Sequence, residues 1–149
     1  MQTAKQISVR LVNKPGRLAT ILAAMAKEKV DLLALSVMDS TERSVLRFVP
    51  DDPQLARSAL DTLGVAFETA DVLLVDLSTK HGSLGKVCER LAAEHLNIDY
   101  VYGSTHTGRV ATAVIKVNDL AKAQRVLGTG NNGARERVKP VRRRPARAR

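Results

Sequence analysis

Apolar and polar residues alternate from Lys5 to Val12, placing Ile7, Val9 and Leu11 on one side of a strand. The interval then changes to that of a helix with one buried face, through Leu18, Ile21, Leu22 and Met25, and predicts a helix from Gly16 to Lys29. Between the two patterns stands Asn13-Lys14-Pro15-Gly16-Arg17-Leu18, a tight turn leading into the first helical turn. Val30 to Met38 is apolar and β-prone. Asp39 to Glu42 is a turn by composition, and Ser44 to Val49 is a third strand hairpinned to the second. A second helix starts with Asp52 as N-cap and Pro53 at the first helical position. Leu55, Ala59, Leu60 and Leu63 give it an apolar side, and Gly64 ends it. Val65 to Thr69 closes this set as a short fourth strand.

The same order begins again at Val72. A strand (Val72 to Leu77) leads to the turn Thr79-Lys80-His81-Gly82-Ser83-Leu84 and a helix reaching His95. Leu96 to Tyr102 and Val110 to Val117 follow as strands around a polar turn, Gly103 to Gly108. Asp119 then caps a short helix that ends before Gly128. Gly16 and Gly82 are 66 residues apart, and at that offset Met25 answers to Leu91, Asp31 to Asn97, Leu32 to Ile98 and Phe48 to Val114. The chain is therefore expected to be α+β: two ferredoxin-like βαββαβ repeats, antiparallel sheets with helices on one face. The expected divisions are 1–69, 70–134 and a basic disordered tail, 135–149. Only Arg137 to Val141 can supply the second repeat's last strand, and Pro140 confines it to an edge. A unit of this size buries only ~60% of its chain surface, so the repeats should pack together, and uncovered sheet faces predict a homodimer.

Charge changes the choice of partners. The formal net charge is +9, but residues 135–149 hold eight basic groups and one acid, leaving +2 on the other 134 residues. A nucleic-acid partner is thus expected only through the tail. No apolar run reaches the ~20 residues of a membrane span. Lys5 and Arg10 interrupt any secretory-type apolar stretch near the start. Cys88, the only cysteine, falls on an apolar helix face and reads as core filler. The expected setting is cytoplasmic, with no membrane contact.

The two glycine turns carry the candidate chemistry. A helix start has backbone N–H groups without partners and a partial positive charge. Glycine at such a turn lets a small anion such as a carboxylate come close, although a glycine there can also serve the turn alone. The strand, the Asn13-to-Leu18 turn, the helix and the apolar strand after it resemble the ACT-domain family, small ferredoxin-like regulatory modules that commonly bind amino acids. The likeness covers roughly residues 5–128. The second copy departs from the family's usual Pro-Gly, having His81-Gly82 instead, and its stretch Asn97 to Tyr102 is similar to stand-alone proteins of two ACT repeats. The resemblance implies a ligand between the first turn of one module and a neighbouring module. Carried onto this chain, that means Asn13, Pro15, Gly16, Arg17 and Leu18, and His81, Gly82, Ser83 and Leu84. Backbone N–H groups near Gly16 to Leu18 would hold the carboxylate, and the Asn13 amide, which donates and accepts, suits an α-amino acid.

Other residues are weighed against plainer roles. Tyr100 and Tyr102 lie two apart on one strand face. They are candidate interface residues if both repeats bury the same face. His81, His95 and His106 are scattered, so no metal or other cofactor is expected. The carboxylates are spread over helix surfaces and turns, and Ser83 beside His81 makes no triad, which argues against an enzyme. The expected function is a non-catalytic sensor binding a free amino acid or similar small carboxylate. Two alternatives stand beside it. One is a regulatory subunit of a partner enzyme, since the acetolactate synthase small subunit has a similar Pro-Gly turn and length. The other is nucleic-acid binding through the arginine-rich tail.

Overall fold

Among the described residues one antiparallel sheet joins both repeats, in the order β2-β3-β1-β4-β6-β5. The computed structural model describes residues 1–38, 43–78, 80–105 and 110–128. The elements are β1 (Gln2–Val12), α1 (Arg17–Lys27), β2 (Leu32–Met38), β3 (Arg43–Pro50), α2 (Pro53–Thr62), β4 (Phe67–Ser78), α3 (Ser83–Ala93), β5 (Ile98–Thr105), β6 (Val110–Val117) and α4 (Leu120–Gly128). The expected Asp39–Glu42 turn, the second half of the Gly103–Gly108 turn with His106, the Arg137–Val141 strand and the tail lie outside the described residues.

β4 departs from expectation and organises the rest. The sequence reads as two strands, Val65 to Thr69 and Val72 to Leu77, whereas the structure has one of twelve residues. No glycine or proline interrupts Glu68-Thr69-Ala70-Asp71, and β1 pairs along this polar stretch, with Lys5 opposite Asp71. The Lys5 Nζ–Asp71 Oδ1 pair, 2.7 Å apart, is half exposed and adds little stability. β1 and β4 thereby have equivalent duties. The C-terminal half of β1 pairs with β3, and that of β4 pairs with β6. Their N-terminal halves run beside each other's repeats, from Gln2 opposite Leu74 to Val9 opposite Phe67. At Leu73 and Leu74, β1 lies on one side of β4 and β6 on the other.

Opposed residues of an antiparallel pair share a face. Val9 faces Phe67 and Thr3 faces Leu73, so both helix pairs lie on the same side of the sheet. Under α1 and α2, Ile21, Met25, Ala59 and Leu60 pack on Ile7, Val9, Leu46 and Phe48. Under α3 and α4, Leu91, Ala123 and Leu127 pack on Leu73, Val75, Ile115 and Val117. On the other side, Ala34 of β2 and Tyr102 of β5 join Val49, Val72, Leu74 and Val114 in a third cluster. Those two strands end the sheet order, yet they approach one another. The sheet is curled, with its helix-free side concave.

The helix ends explain where the boundaries moved. Asp52 Oδ1 accepts hydrogen bonds from the amides of Gln54 and Leu55, at 3.0 and 3.1 Å, as its N-cap position requires. α1 stops at Lys27 because Lys29 takes a left-handed conformation (φ 58°). The Val30 amide then bonds back to the Met25 carbonyl at 2.9 Å, and that of Lys29 to Ala26 at 3.1 Å. β2 therefore starts at Leu32, not Val30. His95 (φ 56°) does the same after α3, with Leu96 bonding back to Leu91 at 3.0 Å. β5 consequently begins at Ile98, and it runs to Thr105, into what composition marks as a turn. Leu73 is fully buried in the shared strand. Replacing it, Leu73→Ala, is expected to cost about 2–5 kcal/mol. Urea denaturation followed by circular dichroism should show one transition, because β4 belongs to both halves.

Candidate functional site

Among the described residues, two of the four helices begin without a side-chain cap. Gly16 precedes α1 with φ 87°, and Gly82 precedes α3 with φ 80°; neither helix start has a side-chain cap or an acid in its first turn. α2 and α4 differ, since Asp52 caps the first and Asp119 Oδ1 accepts from the Lys122 amide of the second at 2.9 Å. At the first turn the Arg17 amide meets the Lys14 carbonyl at a long 3.4 Å. Thr20 bonds the Gly16 carbonyl through both its amide (3.0 Å) and its hydroxyl (2.9 Å). A Cβ at Gly16 or Gly82 would meet nothing within 4 Å, so space is open beside both. Asn13, Pro15 and Arg17 are exposed around the first turn, and Leu18 is half-buried against the α1–α2 core. At the second turn His81 and Leu84 are exposed, and the Ser83 hydroxyl donates to the Ser78 carbonyl at 2.8 Å, tying the turn to the end of β4.

The structure does not bring the two turns together within one chain. β1 and β4 run in opposite directions with Gln2 facing Leu74, so Val12 and Ser78 lie about 45 Å apart along the ladder at ~3.3 Å per residue.

The concave face holds a second polar assembly. Gln6 is fully buried there. Its Nε2 donates to the Tyr100 hydroxyl at 2.5 Å, and its Oε1 accepts from the Tyr102 hydroxyl at 2.8 Å. The two tyrosine rings stack with centroids 6.4 Å apart, and the Arg47 guanidinium lies 4.3 Å above the Tyr100 ring. Burial, and then the neighbouring Tyr100, push the Tyr102 hydroxyl above its ordinary value, while Arg47 pulls the other way. Beside this network a cavity of about 440 Å³ is lined by Ser8, Arg10, Arg47, Glu68 and Tyr100, among others. Among the described residues no three His, Cys, Asp or Glu side chains gather to hold a metal, and no helix is long and apolar enough to cross a membrane.

The sequence matches the model of the ACT domain pair over residues 2–132. This chain belongs to that family. No curated protein matches it significantly. Among solved structures, the ACT pair is similar to protein BT0572 from Bacteroides thetaiotaomicron, with 34% identity and a TM-score of 0.80 over 85% of this chain and 88% of that one. It also resembles the ligand-free regulatory subunit of aspartate kinase from Thermus thermophilus, with 17% identity and a TM-score of 0.61 over 85% and 91%. A third likeness is to E. coli aspartokinase III in complex with lysine and aspartate, with 17% identity and a TM-score of 0.54 over 87% of this chain and 30% of that one.

Sequence reasoning missed the polar side of β1 in this ACT pair. Gln6, Ser8 and Arg10 alternate with Ile7, Val9 and Leu11, so the strand pattern already set them on the face away from the helices. Nothing local showed that the sheet would curl that face into a cavity. Gly16→Ala is expected to cost about 1–2 kcal/mol from the left-handed backbone alone, measured as a lowered denaturation midpoint. The unfolded chain releases the Tyr102 proton before the folded one does, so stability should fall as pH rises past 10.0. Tyr102→Phe should flatten that fall in urea titrations between neutral and alkaline pH.

Proposed function

We propose that this ACT pair is a non-catalytic cytoplasmic regulator that binds a free amino acid at its uncapped helix starts. The observation that carries this reading is the contrast between caps. Asp52 and Asp119 cap α2 and α4, while Gly16 and Gly82 leave α1 and α3 with open space and no side-chain cap. A carboxylate meets the amides and the positive end of the helix dipole there. Lys14 and Arg17 add positive charge at the first turn, and Lys80 and Lys86 at the second. Asn13, Pro15, Gly16, Arg17 and Leu18 form the first proposed site, and His81, Gly82, Ser83 and Leu84 the second. Because the two turns point to opposite ends of the sheet, the second wall of each site comes from another copy, and the working unit is a homodimer. Ligand binding then shifts the balance between arrangements of the copies by no more than its differential affinity for them. A partner enzyme would read that shift; the resemblance to a regulatory subunit of aspartate kinase supports this part of the reading.

A thermal-shift screen with the twenty amino acids tests the proposal. At least one is expected to raise the midpoint, and Gly16→Asp is expected to remove that effect by setting a carboxylate where the ligand's would lie. A flat screen on the full-length protein would refute the proposal.

A further inference from the structure

We infer that the concave face of the sheet carries a second binding site, distinct from the glycine turns, for an acidic amino acid. In the strand register Ser8 lies between Arg47 of β3 and Glu68 of β4, and Arg10 follows two residues along β1 on the same face. Neighbouring strands are about 4.8 Å apart, so Arg47 and Glu68, on either side of β1, border one space about 10 Å across with Arg10 beside it. That space is the cavity of about 440 Å³, within the range typical of small-molecule sites.

No ion pair among the described residues neutralises the charges that line it. Arg10 and Glu68 have no ion-pair partner among the described residues. Arg47 does not pair with Glu68 either. Its guanidinium lies on the Tyr100 ring, and its Nη1 donates to the Met38 sulfur at 2.9 Å. A planar cation held on an aromatic face has its orientation fixed before any ligand arrives. The Tyr100 hydroxyl accepts from Gln6, so its own proton is available to a further acceptor. Two guanidinium groups and a hydroxyl donor face one carboxylate across the cavity, a local charge of +1. A molecule with two carboxylates and one ammonium group, of charge −1, matches both the count and the sign. A guanidinium takes each carboxylate and Glu68 takes the ammonium. A simple dicarboxylate would leave Glu68 unpaired, and a neutral amino acid would leave one arginine unpaired.

Isothermal titration calorimetry on the full-length chain tests this with L-glutamate, L-aspartate, glutarate and L-glutamine. L-Glutamate or L-aspartate is expected to bind more tightly than glutarate or L-glutamine. Arg10→Gln should weaken that binding about tenfold or more, as loss of a charge-assisted hydrogen bond does. Glu68→Gln should weaken the acidic amino acid but not glutarate, so that the preference between them collapses, an effect that simple destabilisation would not produce. Both side chains are exposed at the cavity rim, and neither holds the core. Binding should survive Gly16→Asp. The inference is overturned if neither acidic amino acid binds the wild-type chain, or if both cavity variants bind it unchanged. Binding lost in Gly16→Asp and untouched by the cavity variants would put the ligand at the turn, overturning this inference while sparing the proposed function.

Discussion

The ladder between β1 and β4 is the constraint on which the molecule depends. Each strand is long because it has two tasks, opening one repeat with its C-terminal half and flanking the other with its N-terminal half. Leu73 and Val72 are fully buried where the halves meet. A small ferredoxin-like unit has too little surface to bury alone. Joining two through eight opposed residue pairs gives each a sheet edge already occupied, which removes the exposed backbone groups that an open edge presents.

The same ladder fixes where ligands can meet the protein. It sends the two uncapped helix starts to opposite ends, and the curl of the sheet turns the face between them inward. Along that face the side chains change character. Ala34, Val49, Val72, Leu74 and Val114 make a dry cluster, and Arg47, Ser8, Glu68 and Arg10 make a charged one. Gln6 and the two tyrosines lie between them and satisfy one another. A buried glutamine without those hydroxyls would be costly, so the network fixes how β5 approaches β1 across the curl.

Most of the fold was legible in the sequence because its signals are local. The alternation in β1, the helical spacing from Leu18 to Met25, the Asp52 cap and the 66-residue repeat each name an element without knowledge of its neighbours. The errors come where neighbours decide. Glu68 to Asp71 looks like a link by composition, and only pairing with β1 makes it strand. Lys29 and His95 occupy left-handed positions where glycine is the usual signal, so the sequence carries α1 and α3 two residues past their ends. Of the candidate site, the glycine turns could be read directly, since positive φ at Gly16 and Gly82 is what the motif demands. The cavity could not, because Arg47 and Tyr100 meet only through curvature across the sheet.

The exchange of half-strands between repeats also bears on what happens when the chain is divided. The boundary suggested by the repeat, after residue 69, cuts β4 after its third residue. A fragment ending there would leave the first five residues of β1 without their β4 partners, since Gln2 to Gln6 face Leu74 to Ala70. Such a fragment carries an adhesive overhang that another piece of the molecule can complete. Fragments of this protein should therefore recombine with one another by trading strands, because neither repeat fills its β1–β4 edge without the other.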